Sequence, residues 1–189
     1  MKHSILAFEV CARMDQTPGL HAALMGRLRA HPPNASFQQK WQYHAETSAT
    51  LLAHLGAFEL GCWDYFDDDT RAQADFKMWV NGMLSEEGAR PGPLGGDPYR
   101  GEPRYLTYTM AFLMAQGSPT DMIVRQVCNI PEPHLWARAS FQRILSNINQ
   151  LSFSSIKGDV AYVIPRDPTW ALTQQDLREP KFHYLRRIT

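Results

Sequence analysis

Residues 104–115 read Arg-Tyr-Leu-Thr-Tyr-Thr-Met-Ala-Phe-Leu-Met-Ala. Leu106, Tyr108, Met110, Phe112 and Met114 fall on one side of an alternating pattern, and Tyr105, Thr107, Thr109 and Ala111 on the other. A period of two is that of a strand, because successive side chains leave opposite faces. Large apolar groups on one face and small or hydroxyl groups on the other predict a sheet backed by helices on one side.

Working outward, residues 4–12 alternate more loosely. Leu6, Phe8 and Val10 lie on one side and Glu9 on the other, which predicts a second strand. Residues 58–66 predict a third, with Phe58, Leu60 and Cys62 against Glu59, Gly61 and Trp63. Residues 160–164, closed by Pro165, predict a fourth. Between them the apolar period lengthens to that of helices. Leu20, Leu24 and Leu28 follow Thr17-Pro18, a cap and first-turn proline, and stop at Pro32-Pro33. Trp41, Ala45, Ser48, Leu52 and Leu55 predict a helix over 37–55, with Gly56 as its stop.

Ala72, Phe76, Trp79 and Val80 follow the acidic run Asp67-Asp68-Asp69, whose carboxylates suit a helix N-terminus. Ser118-Pro119-Thr120-Asp121 is a capping sequence for a short helix. Ala137, Phe141, Ile144, Ile148 and Leu151 predict another over 134–151. Residues 173–176, Thr-Gln-Gln-Asp, resemble a cap on one closing turn. The fold class expected is α+β: a mainly antiparallel sheet of about four strands with helices packed on one side. The chain reads as one domain, 1–189, in which a Gly/Pro-rich loop at 88–103 joins two halves. A parallel doubly wound sheet is disfavoured, because no glycine-rich turn follows the first strand.

Nineteen Lys and Arg balance nineteen Asp and Glu among 189 residues. That argues against a nucleic-acid partner, which needs a basic excess, and against polybasic docking to anionic lipid. Cys11, Cys62 and Cys128 are odd in number and far apart, with no C-x-x-C pair, so neither a disulfide framework nor a zinc knuckle is expected. They read as small hydrophobes in a reducing compartment, the cytoplasm or an organelle interior. No stretch approaches the roughly 20 apolar residues of a membrane helix, and no presequence is visible.

Motifs for chemistry are sparse. His44 and His54, on one predicted helix, stand about 15 Å apart along its axis, too far to share a metal. The other histidines are scattered. Gly117-Ser118 is better used as a cap than as a nucleophile, and a thiol dyad of Cys62 or Cys128 with His44 lacks flanking cations. The loop glycines have no Gly-Lys and are no phosphate cradle. No catalytic residue, cofactor or metal is therefore nominated. Exposed aromatics and arginines in loops and strand ends are typical anchors of protein interfaces. Tyr99, Tyr105, Trp170, Tyr184, Arg186 and Arg187 are the candidate partner-binding residues. The leading expectation is a non-enzymatic interaction domain with protein partners, an accessory subunit or assembly factor. The alternative is a small-molecule-binding protein or hydrolase-like enzyme, with a pocket under the 88–103 loop holding Asp64, Asp67 or His134.

The stretch 104–113 is similar to the Tyr-hydrophobic-Val-Thr strand of the domain-of-unknown-function fifteen-seventeen family of cyanobacteria and chloroplasts. Residues 159–165 (Asp-Val-Ala-Tyr-Val-Ile-Pro) stand where that family carries its last strand. Leu172, Thr173, Asp176 and Leu177, then Pro180, Phe182 and Leu185, resemble its closing motif. Upstream, Trp63-Asp64-Tyr65 and the helix with Ala72 and Phe76 match its element order. The resemblance covers most of the chain. It implies an α+β domain associated with a photosynthetic or organellar membrane complex, peripherally through that complex, and carries over no catalytic residue.

Overall fold

The computed structural model describes residues 1–84, 90–91, 102–167 and 170–189. The strand that opened the sequence reading is β4 (Arg104–Ala115), and it lies beside β1 (His3–Arg13) along its whole length, antiparallel, from His3↔Ala115 to Arg13↔Tyr105. β2 (Phe58–Phe66) pairs with the other edge of β1, and β5 (Ile156–Ile164) with the other edge of β4, both antiparallel. These are the four expected strands. Three short ones extend the sheet: β3 (Arg90–Pro91), β6 (Trp170–Thr173) and β7 (Arg186–Arg187), in the order β3-β6-β4-β1-β2-β7. Two- to four-residue pairings leave no alternation long enough to read, so the sequence undercounts the strands.

Each central strand reaches its outer neighbour through two helices. α1 (Leu20–Ala30) and α2 (Phe37–Ala53) link β1 to β2, while α4 (Pro119–Val127) and α5 (Arg138–Asn147) link β4 to β5. All four pack on the face that carries Leu6, Phe8, Val10, Tyr108, Met110 and Phe112, and this is the main core. Burial of these large apolar side chains is the chief stabilising term.

The opposite face is also covered, which corrects the expectation of helices on one side. α3 (Asp69–Leu84) lies across Ala7, Ala111 and Val160 with Phe76, Trp79 and Val80. The C-terminal residues Leu172, Leu177, Phe182 and Leu185 pack over Cys11 and Tyr105. Small residues on this face do not expose it. They let a helix sit close, and at Gly158 an added Cβ would meet the Phe76 ring at 2.7 Å.

Local signals held at several ends. Ser118 Oγ accepts from Asp121 N at the start of α4, Asp68 accepts from Arg71 N at the start of α3, and Thr173 and Asp176 bond each other reciprocally. Others shifted. Thr17 does not cap α1: its hydroxyl donates to Arg13 O, and Gly19 fills the cap position at φ +84°, where glycine is favoured. Of the expected stripe Trp41, Ala45, Ser48, Leu52 and Leu55, Ser48 and Leu55 are buried and the other three half-buried, so the stripe is rotated in part. The buried face of α2 is Tyr43, His44, Thr47, Ser48 and Leu51, in which the polar His44 and Thr47 are discounted by a hydrophobic pattern. α2 ends at Ala53, with Gly56 in a following 3₁₀ turn, and the 134–151 helix is α5 flanked by 3₁₀ turns.

Gly61 in β2 gives the tightest contact with the helices, since a Cβ there would lie 2.6 Å from the Phe141 ring and 3.0 Å from Glu9 O. We expect Gly61→Ala to destabilise the fold by about 1–3 kcal/mol through overpacking, read as a lower urea midpoint.

Candidate functional site

Strand register sets four residues in a line across the α3-covered face. Glu9 of β1 pairs with Cys62 of β2 and Thr109 of β4, and Thr109 pairs with Tyr162 of β5. Glu9 is 1% exposed. Tyr184, from the C-terminal segment, donates its phenol to Glu9 Oε2 at 2.8 Å. Thr107 Oγ1 and Thr109 Oγ1 are buried on this face beside Glu9. Burial pushes the Glu9 carboxyl up from its ordinary 4.5 to about 7, against the opposing pull of Tyr184 and the two threonine hydroxyls. Burial and the adjacent Glu9 push the Tyr184 phenol far above its usual range, so it stays a neutral donor.

Above this row the face opens into a cleft of about 560 Å³ between α3 and the C-terminal segment. Ile5, Ala7 and Cys62 form its floor, with Asp64 and Phe66 beside them. Arg71, Asp75, Met78 and Trp79 line the α3 side, and Lys181, His183 and Tyr184 the other. Trp79 and Tyr184 meet edge to face, 5.7 Å between centroids, where the two walls approach. Burial, then the carboxylates of Glu9 and Asp64, push the Cys62 thiol up to about 12, so it is no nucleophile.

A second polar cluster lies on the other face. His44, 1% exposed, contacts the rings of Phe112, Phe153 and Tyr43, with its Nε2 3.2 Å from Asp159 Oδ2. Lys40 Nζ donates to Asp159 Oδ1 at 2.5 Å. Burial lowers the His44 pKa against the pull of Asp159, so near neutral pH the ring is uncharged and donates from Nε2. Burial pushes Asp159 up, but the hydrogen bonds from His44 and Lys40 outweigh it and hold it at about 2. His44 Nδ1, Thr47 Oγ1 and Ser48 Oγ are buried without partners. This carboxylate–imidazole pair ties α2 to β5.

Of the residues singled out from sequence, the structure brings together Asp64 and Tyr184, which line the same cleft. Tyr105 is buried at 6% exposure beneath Leu172, and so offers no ring to a partner. Tyr184 is half-buried, a cleft wall bonded to Glu9. Arg186 and Arg187 are exposed on β7. Tyr99 lies outside the described residues, as does the side chain of Trp170, whose backbone belongs to β6. Of the residues assigned to a pocket, Asp64 lines the cleft, Asp67 pairs with Arg125 at 2.9 Å, and His134 is exposed in a 3₁₀ turn. Cys62 and His44 are on opposite faces. The cysteines are free thiols. Among the described residues no His, Cys, Asp and Glu group is placed to hold a metal ion, and no helix is long and apolar enough to cross a membrane. Sequence reasoning missed Glu9. The signal available was a lone carboxyl between Ala7 and Cys11 on one side of a strand otherwise apolar.

No protein-family model, curated protein or solved structure matches the chain.

Because the folded-state pKa of Glu9 lies above the unfolded one, the native protein holds the extra proton between those values. Stability therefore falls as pH rises from 4.5 to about 7 and is flat beyond. Glu9→Gln keeps an acceptor for Tyr184 and removes the buried charge. It should match the parent below about pH 4 and exceed it by about 3 kcal/mol at pH 8, measured by urea unfolding at both pH values. Asp159 behaves oppositely: its depressed pKa contributes stability that is full above 3.8 and lost as pH falls toward about 2. Asp159→Asn should cost about 1–2 kcal/mol at pH 7 and flatten the acid limb of the stability curve.

Proposed function

We propose that the chain is a small-molecule-binding domain whose ligand seats in the cleft between α3 and the C-terminal segment. One observation carries this reading: a concave, partly aromatic cavity of about 560 Å³ lies beside a row of polar groups, Glu9 and Thr109 among them, buried in the sheet. Ligand sites combine apolar walls with a few placed polar groups in this way, and a burial-shifted carboxyl is a mark of such sites. Cys62, Tyr162 and Tyr184 link the row to the cavity, since each lines the cleft and adjoins Glu9 or Thr109. Reaction chemistry is not part of the proposal, because Glu9 lies behind Tyr184 and the cleft thiol is protonated.

The docking reading keeps one specific support, the adjacent exposed arginines Arg186 and Arg187 on the sheet-edge strand β7. Protein partners, an accessory or assembly role, and association with a photosynthetic or organellar complex belong to that second reading and remain proposals.

A fragment titration followed by backbone amide shifts separates the two. The cleft reading expects shifts centred on Ala7, Cys62, Trp79 and Tyr184. It also expects them to vanish in Met78→Trp, which fills the opening from a position 63% exposed and so leaves the fold intact. Fragments that shift only other surfaces, or that bind Met78→Trp unchanged, would overturn it.

A further inference from the structure

The charge arrangement at the cleft narrows the ligand class, an inference that rests on the binding reading above. Four charged side chains line the cavity: Asp64, Asp75, Arg71 and Lys181. Both cations are already engaged. Arg71 lies over the Phe66 ring, 3.4 Å from its centroid, with Asp75 at 3.8 Å, and Lys181 pairs with Glu179 at 3.3 Å. An anion entering the cleft would have to displace one of these contacts.

Asp64 is different. Its Oδ1 accepts from Tyr65 N, its own neighbour, and among the described residues it makes no ion pair. It stands beside Cys62, two positions along β2 on the same face, with Glu9 across the strand. The floor thus carries the Asp64 carboxyl at its edge, and the walls supply the rings of Phe66, Trp79, Tyr162 and Tyr184. The aromatic face of Phe66 already holds one guanidinium, which shows that this wall accepts a cation. An exposed carboxylate at the rim of a partly apolar cavity, reached by Arg71 only through its longer-range charge, favours a positive ligand group, while π faces favour a weakly hydrated organic cation over a small inorganic one.

We propose that the cleft binds an organic cation with an apolar or aromatic body, its charged group against Asp64 and its body against Trp79 and Tyr184. A cavity of about 560 Å³ accommodates such a molecule at drug-like size.

The test titrates the whole protein with benzyltrimethylammonium, benzyl alcohol and benzoate, three probes of similar body and different charge, and follows the amides of Cys62, Asp64, Trp79 and Tyr184. Binding of the cation at least tenfold tighter than that of the alcohol is the expected result. Asp64→Asn should remove that preference, because the amide retains the bond from Tyr65 N while losing the charge, and Asp64→Glu should restore it in part. Should the alcohol or benzoate bind the cleft as tightly as the cation, or Asp64→Asn leave the preference intact, the cation assignment falls while the binding site stands. Should no probe perturb the cleft, this proposal and the small-molecule reading fall together.

Discussion

Both faces of the β1–β4 pair are covered, and this governs everything else in the molecule. With α1, α2, α4 and α5 on one side and α3 with the C-terminal segment on the other, neither central strand has a wet face. Every side chain there must be satisfied without bulk water. Most are, being apolar. Glu9 is the one carboxylic acid among these side chains, and its neighbours are arranged around that fact: Tyr184 arrives from 175 positions away to donate to it, and its ionisation is deferred to about pH 7. A buried carboxyl without a cation is stable mainly in its neutral form, so the middle of the sheet carries a standing electrostatic tension.

The two halves of the chain solve the same packing problem with the same plan. Strand, two helices and an adjacent antiparallel strand occur twice, as β1-α1-α2-β2 and β4-α4-α5-β5, and the two units join where β1 meets β4. The polar clusters break that likeness. His44 and Asp159 tie α2, in the first half, to β5, in the second. Asp121 of α4 accepts from Ser4 of β1 and from Tyr65 of β2. Each half thus supplies hydrogen-bond partners that the other needs, which joins them more specifically than the apolar core alone.

The four long strands, most helices and several caps were legible in the sequence because each has a periodic or capping signal of its own. What escaped is what depends on partners distant in sequence. The period of residues 4–12 placed Glu9 opposite Leu6, Phe8 and Val10, as found, but with helices expected on one side only it gave no sign that Glu9 is covered. Nothing local tells whether a strand's second face is covered by a helix seventy positions later. The same limit explains α2, whose buried His44 and Thr47 look exposed until Asp159 and the aromatic rings are placed. The cleft was legible only in the naming of Asp64 for a pocket and of Tyr184 for a partner surface, because its walls come from α3 and from a segment a hundred residues further on.

α3 stands on the sheet through two reciprocal ring-over-glycine contacts: Phe76 presses on Gly158 of β5, and the Tyr162 hydroxyl of β5 reaches the Cα of Gly82 so closely that a Cβ there would come within 2.7 Å. These act as two feet that hold the helix at a set height. Aperture and lining are consequently under separate control. Bulk added at either glycine would raise or tilt the helix and widen the opening without touching the strand residues that set its polarity, while exchanges along β1 and β2 would alter polarity at constant width. A scaffold built this way can change the size and the character of what it holds by independent steps.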